Sequence, residues 1–133
     1  MFVLDKLMLF KDKLLILRNC DPQQIAQQIM SDLEKNANKA ANAGKREAFA
    51  SFDLWRSYKS SISSSAENTG PLSRIDFPGN IDIHSDSRPS EILMGMVQKY
   101  IPDENIRLKL QKERYSGSNW YDNHDYISAT LSW

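Results

Sequence analysis

The 133-residue sequence predicts a single α+β domain over residues 1–133, with two or three helices packed on one face of a small antiparallel sheet. Three observations predict this fold class. A capped amphipathic helix lies near the N-terminus, a shorter amphipathic helix lies further on, and two alternating segments follow it. Helices on one face of an antiparallel sheet are one of the stable ways to bury the apolar surface of both.

Residues 2–17 form the first predicted helix, because apolar residues recur three and four positions apart. These residues are Val3, Leu4, Leu7, Met8, Phe10, Leu14 and Leu17. The apolar sector is broad, which indicates burial on more than one side. We interpret the segment as a core helix, and a homodimer interface through residues 2–17 or a membrane-surface helix is the alternative. No apolar run reaches the roughly 18 residues of a membrane span.

The second predicted helix covers residues 22–43. Asp21 is a good N-cap, Pro22 suits the first turn, and Gly44 suits the left-handed residue that ends a helix. Its apolar positions recur at steps of three or four and are Ile25, Ile29, Leu33, Ala37 and Ala40. This is the clearest helix in the sequence.

The middle of the chain is less regular. Residues 45–62 fit either a helix or a strand, and their aromatic content favours a strand slightly. The Ser-rich composition of residues 60–73 predicts a mobile loop. Residues 75–77 and 81–84 are short strand candidates around a Pro-Gly-Asn turn.

A third helix begins near Ser87 and is stopped by Pro102. Its predicted buried stripe is Ile92, Leu93, Met96, Val97 and Tyr100. Two alternating segments then predict an antiparallel hairpin with one buried and one wet face. Their inward residues are Ile106, Leu108 and Leu110 in the first, and Ile127, Ala129, Leu131 and Trp133 in the second.

Charge and cysteine content limit the classes of function. The chain has 17 basic and 17 acidic residues, which argues against a dedicated DNA-binding protein or an acidic DNA mimic. Cys20 is the single cysteine, so no internal disulfide can form, and we expect it to be inert. No basic segment precedes the first apolar residues, so we expect a cytoplasmic protein.

The two histidines are the strongest candidates for chemistry. Asp82, His84 and Asp86 alternate, so on an extended strand they would share one face. Asp122 and His124 lie near the predicted hairpin. Histidine beside carboxylates suits a general base or a divalent metal, which makes a small enzyme using His84 and His124 one hypothesis. No fixed ligand spacing is present, and we expect no metal and no cofactor.

Binding surfaces are the other candidates. Arg107 and Lys109 line the wet face of the predicted hairpin, near aromatic residues, as in single-stranded nucleic-acid binders. The zero net charge makes nucleic acid an unlikely partner. Exposed aromatic residues are favoured protein-interface anchors. The candidates here are Trp55, Tyr58, Trp120 and Tyr121.

Three segments together resemble small proteins encoded by phages and prophages. They are the helix from Ile25 to the Ala-Gly-Lys corner at Lys45, the helix from Glu91 to Tyr100, and the strand from Ile127 to Trp133. The resemblance covers about half of the chain and implies no reaction. It implies a compact accessory protein that binds a host or phage protein. We therefore expect a non-enzymatic, protein-binding domain of accessory or inhibitor-like function.

Overall fold

The computed structural model describes residues 2–59, 66–77, 83, 86–114 and 122–133, with the backbone alone for residues 2–9 and Ala66. Within these ranges the helices are α1 (Phe2–Asn19), α2 (Pro22–Asn42) and α3 (Arg88–Gln98). The strands are β1 (Glu47–Lys59), β2 (Ala66–Thr69), β3 (Ile106–Glu113) and β4 (His124–Ser132). A short 3-10 helix, Pro71–Arg74, follows β2. The predicted α+β class is confirmed.

The strands form one antiparallel sheet in the order β2-β1-β4-β3. Paired residues point to the same face, so the register defines an inner and an outer face. The inner face contacts α2 and α3 and carries buried residues, among them Ala48, Ala50, Ile106, Ile127 and Ala129. The outer face is mostly polar, with Phe49 exposed on it, and is covered by no described helix. The predicted hairpin of β3 and β4, with one buried and one wet face, is confirmed.

Both ends of α2 are capped as predicted. The Asp21 carboxylate accepts a hydrogen bond from the Gln23 amide at 3.0 Å and a longer one from Gln24 at 3.4 Å. At the other end Gly44 has a φ of 77°, the left-handed conformation that glycine adopts without steric cost. The Lys45 amide donates to the Ala40 carbonyl at 2.8 Å, so the last turn ends in a Schellman motif.

The ambiguous segment 45–62 is a strand over Glu47–Lys59, with a bulge that explains the ambiguity. The pairing with β4 shifts between Asp53 and Trp55, and both Leu54 and Trp55 are fully buried. Two consecutive inward residues break the period of two that identifies a strand. A bulge therefore looks in the sequence like a change of period.

Two predictions for the following segment are wrong where the structure describes it. Residues 66–74, most of them within the predicted Ser-rich loop 60–73, form β2 and the 3-10 helix, and Leu72 is fully buried. Asn68 anchors β2 by accepting a hydrogen bond from the Ser57 hydroxyl at 2.8 Å. Residues 75–77 form no strand, because β2 occupies the edge of β1. Residues 60–65, and 81–84 except Ile83, lie outside the described residues.

The third helix has the predicted position, but one residue of its stripe is misplaced. Leu93 and Val97 are fully buried, whereas Tyr100 is 50% exposed. The helix ends at Gln98, so the helical period no longer places Tyr100 on the inner side. The Tyr100 ring instead lines a surface groove beside α2.

In its described part, residues 10–19, helix α1 buries one side against the domain. Asp12, Ile16 and Cys20 are buried, and the helix contacts α3 and the 3-10 helix. Burial raises the pKa of Asp12, an effect that Arg88 partly opposes. The apolar residues Phe10, Leu14 and Leu17 point outward. None of the helices in the described part of the chain combines the length and apolarity needed to cross a membrane.

The glycine at position 70 should be the least replaceable of those described. A Cβ there would lie 2.5 Å from the Leu54 carbonyl oxygen, at a φ of 98°. We expect Gly70→Ala to lower the free energy of unfolding by about 3 kcal/mol, from left-handed strain and overpacking together. Gly44→Ala, where a Cβ has open space, should lower it by about 1 kcal/mol.

Urea unfolding followed by circular dichroism measures both losses. Gly95→Ala is a control that should change the free energy of unfolding in the opposite direction. Gly95 lies in the middle of α3, and an added Cβ there would have no atom within 4 Å. It should stabilise the chain by up to about 1 kcal/mol. Equal losses for Gly70→Ala and Gly44→Ala would contradict the close approach of residue 70 to the bulge.

Candidate functional site

His124 lies in a cluster of polar side chains on the outer face of the sheet. Its Nε2 is 2.7 Å from Glu113 Oε2 on β3, and its Nδ1 is 3.2 Å from Asp53 Oδ1 on β1. The Tyr126 ring stacks on the imidazole with 4.7 Å between centroids. The sheet register produces the cluster, because Glu113 pairs with His124 and Asp53 pairs with Tyr126.

The hydrogen bonds of this cluster depend on the protonation of His124, because a neutral imidazole donates from one nitrogen only and an imidazolium donates from both. The Tyr126 hydroxyl lies 3.4 Å from Glu113 Oε1, and burial, with the nearby Glu113 and Asp53 carboxylates, raises the pKa of Tyr126. The carboxylates are about half exposed, at 47% for Asp53 and 45% for Glu113. Their pairing with His124 is therefore of modest energetic value.

This geometry offers little to a general-base mechanism. A catalytic base must direct one ring nitrogen at its substrate, and both nitrogens of His124 face protein carboxylates instead. Asp53 and Glu113 lie on opposite sides of the ring, so they cannot join it around one ion. In the described ranges no three His, Cys, Asp or Glu side chains are placed to hold a metal.

The other predicted catalytic residues have no described contact with His124. Asp82 and His84 lie outside the described residues, so the two-histidine hypothesis stays a prediction. Asp122 lies partly exposed just before β4. Asp86 accepts hydrogen bonds from both the backbone amide and the guanidinium of Arg88, the first residue of α3. The hydrogen bond from the Arg88 side chain lowers the pKa of Asp86.

A second polar cluster lies in the interior, beneath the same end of the sheet. Asp125 is fully buried, accepts a 2.6 Å hydrogen bond from Ser90 of α3, and forms an ion pair with Arg114 Nη1 at 2.6 Å. Arg114 Nη1 donates hydrogen bonds to the backbone carbonyls of Glu113 and His124. Its contact with the Asp125 carboxylate does not have the geometry of a hydrogen bond. The guanidinium lies over the Trp55 ring, 4.9 Å from its centroid. This cluster links this end of the sheet to α3.

The predicted binding residues are distributed differently from the expectation. Trp55 is fully buried and is no surface anchor, because the bulge in β1 turns it inward. Tyr58 lies partly exposed on the outer face, and its hydroxyl donates to Glu67 at 2.9 Å. Arg107 and Lys109 are exposed on that face, as predicted. Trp120 and Tyr121 lie outside the described residues.

A groove of about 590 Å³ lies between α2 and the segment after α3. Its apolar lining includes Met30, Ala37 and Tyr100, and its charged residues are Glu34 and Asp103. A ligand site usually combines such a pocket with converging polar groups of perturbed pKa. The Asp103 carboxylate accepts a hydrogen bond from the Asn105 amide of its own turn at 2.9 Å, so we assign the groove no chemistry.

The feature that the sequence analysis missed is the outward side of α1. We call Phe10, Leu14 and Leu17 the α1 seam; their exposed fractions are 59%, 51% and 52%. An ordinary amphipathic helix would bury these residues and expose Asp12, which is instead 4% exposed. The spacing of four and then three residues was visible in the sequence, but the broad apolar sector concealed which side faces outward.

The α1 seam is bordered by positive charge on both sides. Lys13 flanks one side, and Lys11 and Arg18 flank the other, and all three are exposed. None of the three forms an ion pair with another described residue. Beside the seam lies a shallow groove of about 340 Å³. Its lining residues are Lys11, Leu14, Leu15, Arg18 and Asp76.

Comparison with protein-family profiles, with curated proteins and with solved structures finds no match for this chain. The resemblance to small phage and prophage proteins therefore stays a prediction.

Arg114 should be worth more to stability than an exposed ion pair. Arg114→Gln leaves the Asp125 carboxylate buried without its cation, so we expect the free energy of unfolding to fall by about 3 kcal/mol. The control is Lys112→Gln, which breaks an exposed pair with Glu91 and should cost less than about 1 kcal/mol. The double variant Arg114→Gln/Asp125→Asn should recover part of the loss. Equal losses from Arg114→Gln and Lys112→Gln would disprove the role of the pair.

Cys20 should react slowly in the folded chain. The thiol is buried, and burial raises the pKa of Cys20, so both access and the thiolate fraction are reduced. We expect alkylation by iodoacetamide to be at least about 10-fold slower in buffer than in urea at the same pH. Mass spectrometry of timed samples measures both rates. Comparable rates would mean that the thiol is accessible in the native state.

Proposed function

We propose that this chain is a protein-binding domain, of accessory or inhibitor-like function, that docks its partner through the α1 seam. The observation that carries the proposal is the exposure of three large apolar side chains along one side of a helix whose other side is buried. Contiguous exposed apolar surface on a folded domain is typical of an interaction site.

The orientation of α1 strengthens this argument. Burying Asp12 while exposing Leu14 and Leu17 is unfavourable for the isolated domain, because a carboxylate loses hydration and apolar surface keeps contact with water. Because each of these side chains is already about half buried, a partner that covers the seam would recover roughly 1 kcal/mol for each of them. Binding would thus bury the apolar surface that the free domain leaves in contact with water.

The competing functions have less support. A general-base enzyme needs an available ring nitrogen, and the described contacts of His124 occupy both. A nucleic-acid-binding surface needs an excess of positive charge, and the outer sheet face carries Asp53 and Glu113 as well as Arg107 and Lys109. The observations on the α1 seam favour a protein partner over both.

Site-specific photo-crosslinking tests the proposal in cells that express the chain naturally. Benzoylphenylalanine is incorporated in place of Leu14 or Leu17, and in place of Phe49 as a control that is equally exposed, at 57%. We expect one protein to be captured from positions 14 and 17 and not from position 49. Capture only from position 49, or from none of them, would contradict docking through the seam.

The captured protein is then purified and its affinity for the chain is measured. Leu14→Gln/Leu17→Gln should weaken binding by about 30-fold or more, since the loss of two central apolar contacts exceeds 2 kcal/mol. Glutamine keeps good helix propensity, so thermal unfolding should change little. Phe49→Gln should leave the affinity unchanged. Unchanged affinity of the double variant would reject the proposal even if the protein was captured.

A further inference from the structure

We infer that the partner presents an amphipathic helix whose apolar stripe is flanked by acidic residues, and that this helix packs along α1 as in a short coiled coil. The inference rests on the proposed function, because it names the chemistry of what covers the α1 seam. Its support comes from the width of the seam, from the charges beside it, and from what those charges exclude.

The width of the seam fits a helix. At 100° per residue, Phe10, Leu14 and Leu17 lie within about 60° of the circumference of α1. Alternating steps of four and three residues give the 3.5-residue repeat of a coiled-coil seam. In the sequence, Val3 and Leu7 continue the same spacing. A helix lying in a membrane surface needs a wider apolar face, and here Ile16 on the opposite side of α1 is buried.

The charges beside the seam define the partner's flanks. In heptad terms Lys11 and Arg18 occupy e positions and Lys13 occupies a g position. Residues at e and g face the partner helix and select it by charge. Asp12 lies on the opposite, buried side, and Asp76, which lines the groove beside Lys11 and Arg18, forms no described ion pair with either. The partner's flanking positions should therefore be Asp or Glu.

The same charges disfavour a second copy of this chain as the occupant. In a parallel pair, Lys13 of one copy would face Arg18 of the other. In an antiparallel pair, Lys13 would face Lys13, and Lys11 would face Arg18. Like charges in these positions destabilise a helix pair, so both the parallel and the antiparallel homodimer are disfavoured. The homodimer through residues 2–17 stays a prediction, and it is an outcome of the test below.

Two synthetic peptides distinguish the occupants. Each is a three-heptad helix with Leu at a and d; one has Glu at every e and g position, and the other has Lys. Fluorescence anisotropy measures their binding to the full chain at low and at high salt, below the concentration at which the peptides self-associate. We expect the Glu peptide to bind at least about 10-fold more tightly than the Lys peptide at low salt, with a smaller ratio at high salt.

Two variants separate the apolar and the ionic contributions. The charge-reversed variant Lys11→Glu/Lys13→Glu/Arg18→Glu should exchange the preference and bind the Lys peptide more tightly. Leu14→Gln/Leu17→Gln should bind neither peptide. Circular dichroism verifies that each variant keeps the helical content of the original chain, and the exposed positions of all five residues make this the expected result.

The remaining outcomes overturn the inference in different ways. Equal binding of both peptides, abolished by Leu14→Gln/Leu17→Gln, would refute acidic flanks and leave docking through the seam intact. Self-association in sedimentation experiments that the same double variant abolishes would identify a second copy as the occupant. Binding of anionic phosphatidylserine vesicles but of neither peptide would point to a lipid surface. If the chain binds neither peptide nor vesicles and does not self-associate, the acidic helix is refuted. Photo-crosslinking still decides the proposed function in that case.

Discussion

The bulge at Leu54 and Trp55 is the constraint on which the arrangement of both sheet faces depends. The additional residue places two consecutive side chains in the interior, and it turns Trp55 under the guanidinium of Arg114. Without that residue, Trp55 would point to the outer face, and the interior cluster around Asp125 would lose one wall. The backbone of Gly70 approaches the bulge so closely that any larger residue would have to displace the backbone of Leu54 and Trp55.

The bulge also defines what lies outside. Asp53 precedes it, pairs with Tyr126, and so comes within 3.2 Å of the imidazole of His124. The two polar clusters of the sheet thus lie on opposite faces of the same strand pair, but their energetics differ. Asp125 is fully buried and depends on Arg114 and Ser90, whereas the carboxylates beside His124 remain half exposed to water. Both clusters contain residue types found in active sites, and in both the charged groups are paired with other residues of the protein.

The α1 seam differs from these clusters because nothing in the described structure satisfies it. Its apolar side chains remain in water, and its flanking cations have no described ionic partner. The buried side of the helix carries Asp12, whose raised pKa reflects the cost of removing a carboxylate from water. The contacts of α1 with the rest of the fold stabilise an orientation in which a carboxylate is buried and apolar side chains are exposed. The exposed side is therefore available to a partner.

Local chemistry made much of this fold predictable. The caps of α2 depend on Asp21, Pro22 and Gly44, which act on neighbouring backbone groups, so they could be identified without tertiary information. The alternation in β3 and β4 likewise follows from one covered face. These features depend on residues at most a few positions apart, and the sequence by itself determined them.

The tertiary structure decided the features that depend on distant residues. The bulge in β1 is defined by its register with β4, β2 forms because β1 offers an unpaired edge, and Tyr100 is exposed because α3 ends early. The outward side of α1 was also hidden, since the apolar residues surround most of that helix and only its contacts select the buried side. A sequence records which side chains can be buried, but competition among distant surfaces for the same interior decides which of them are.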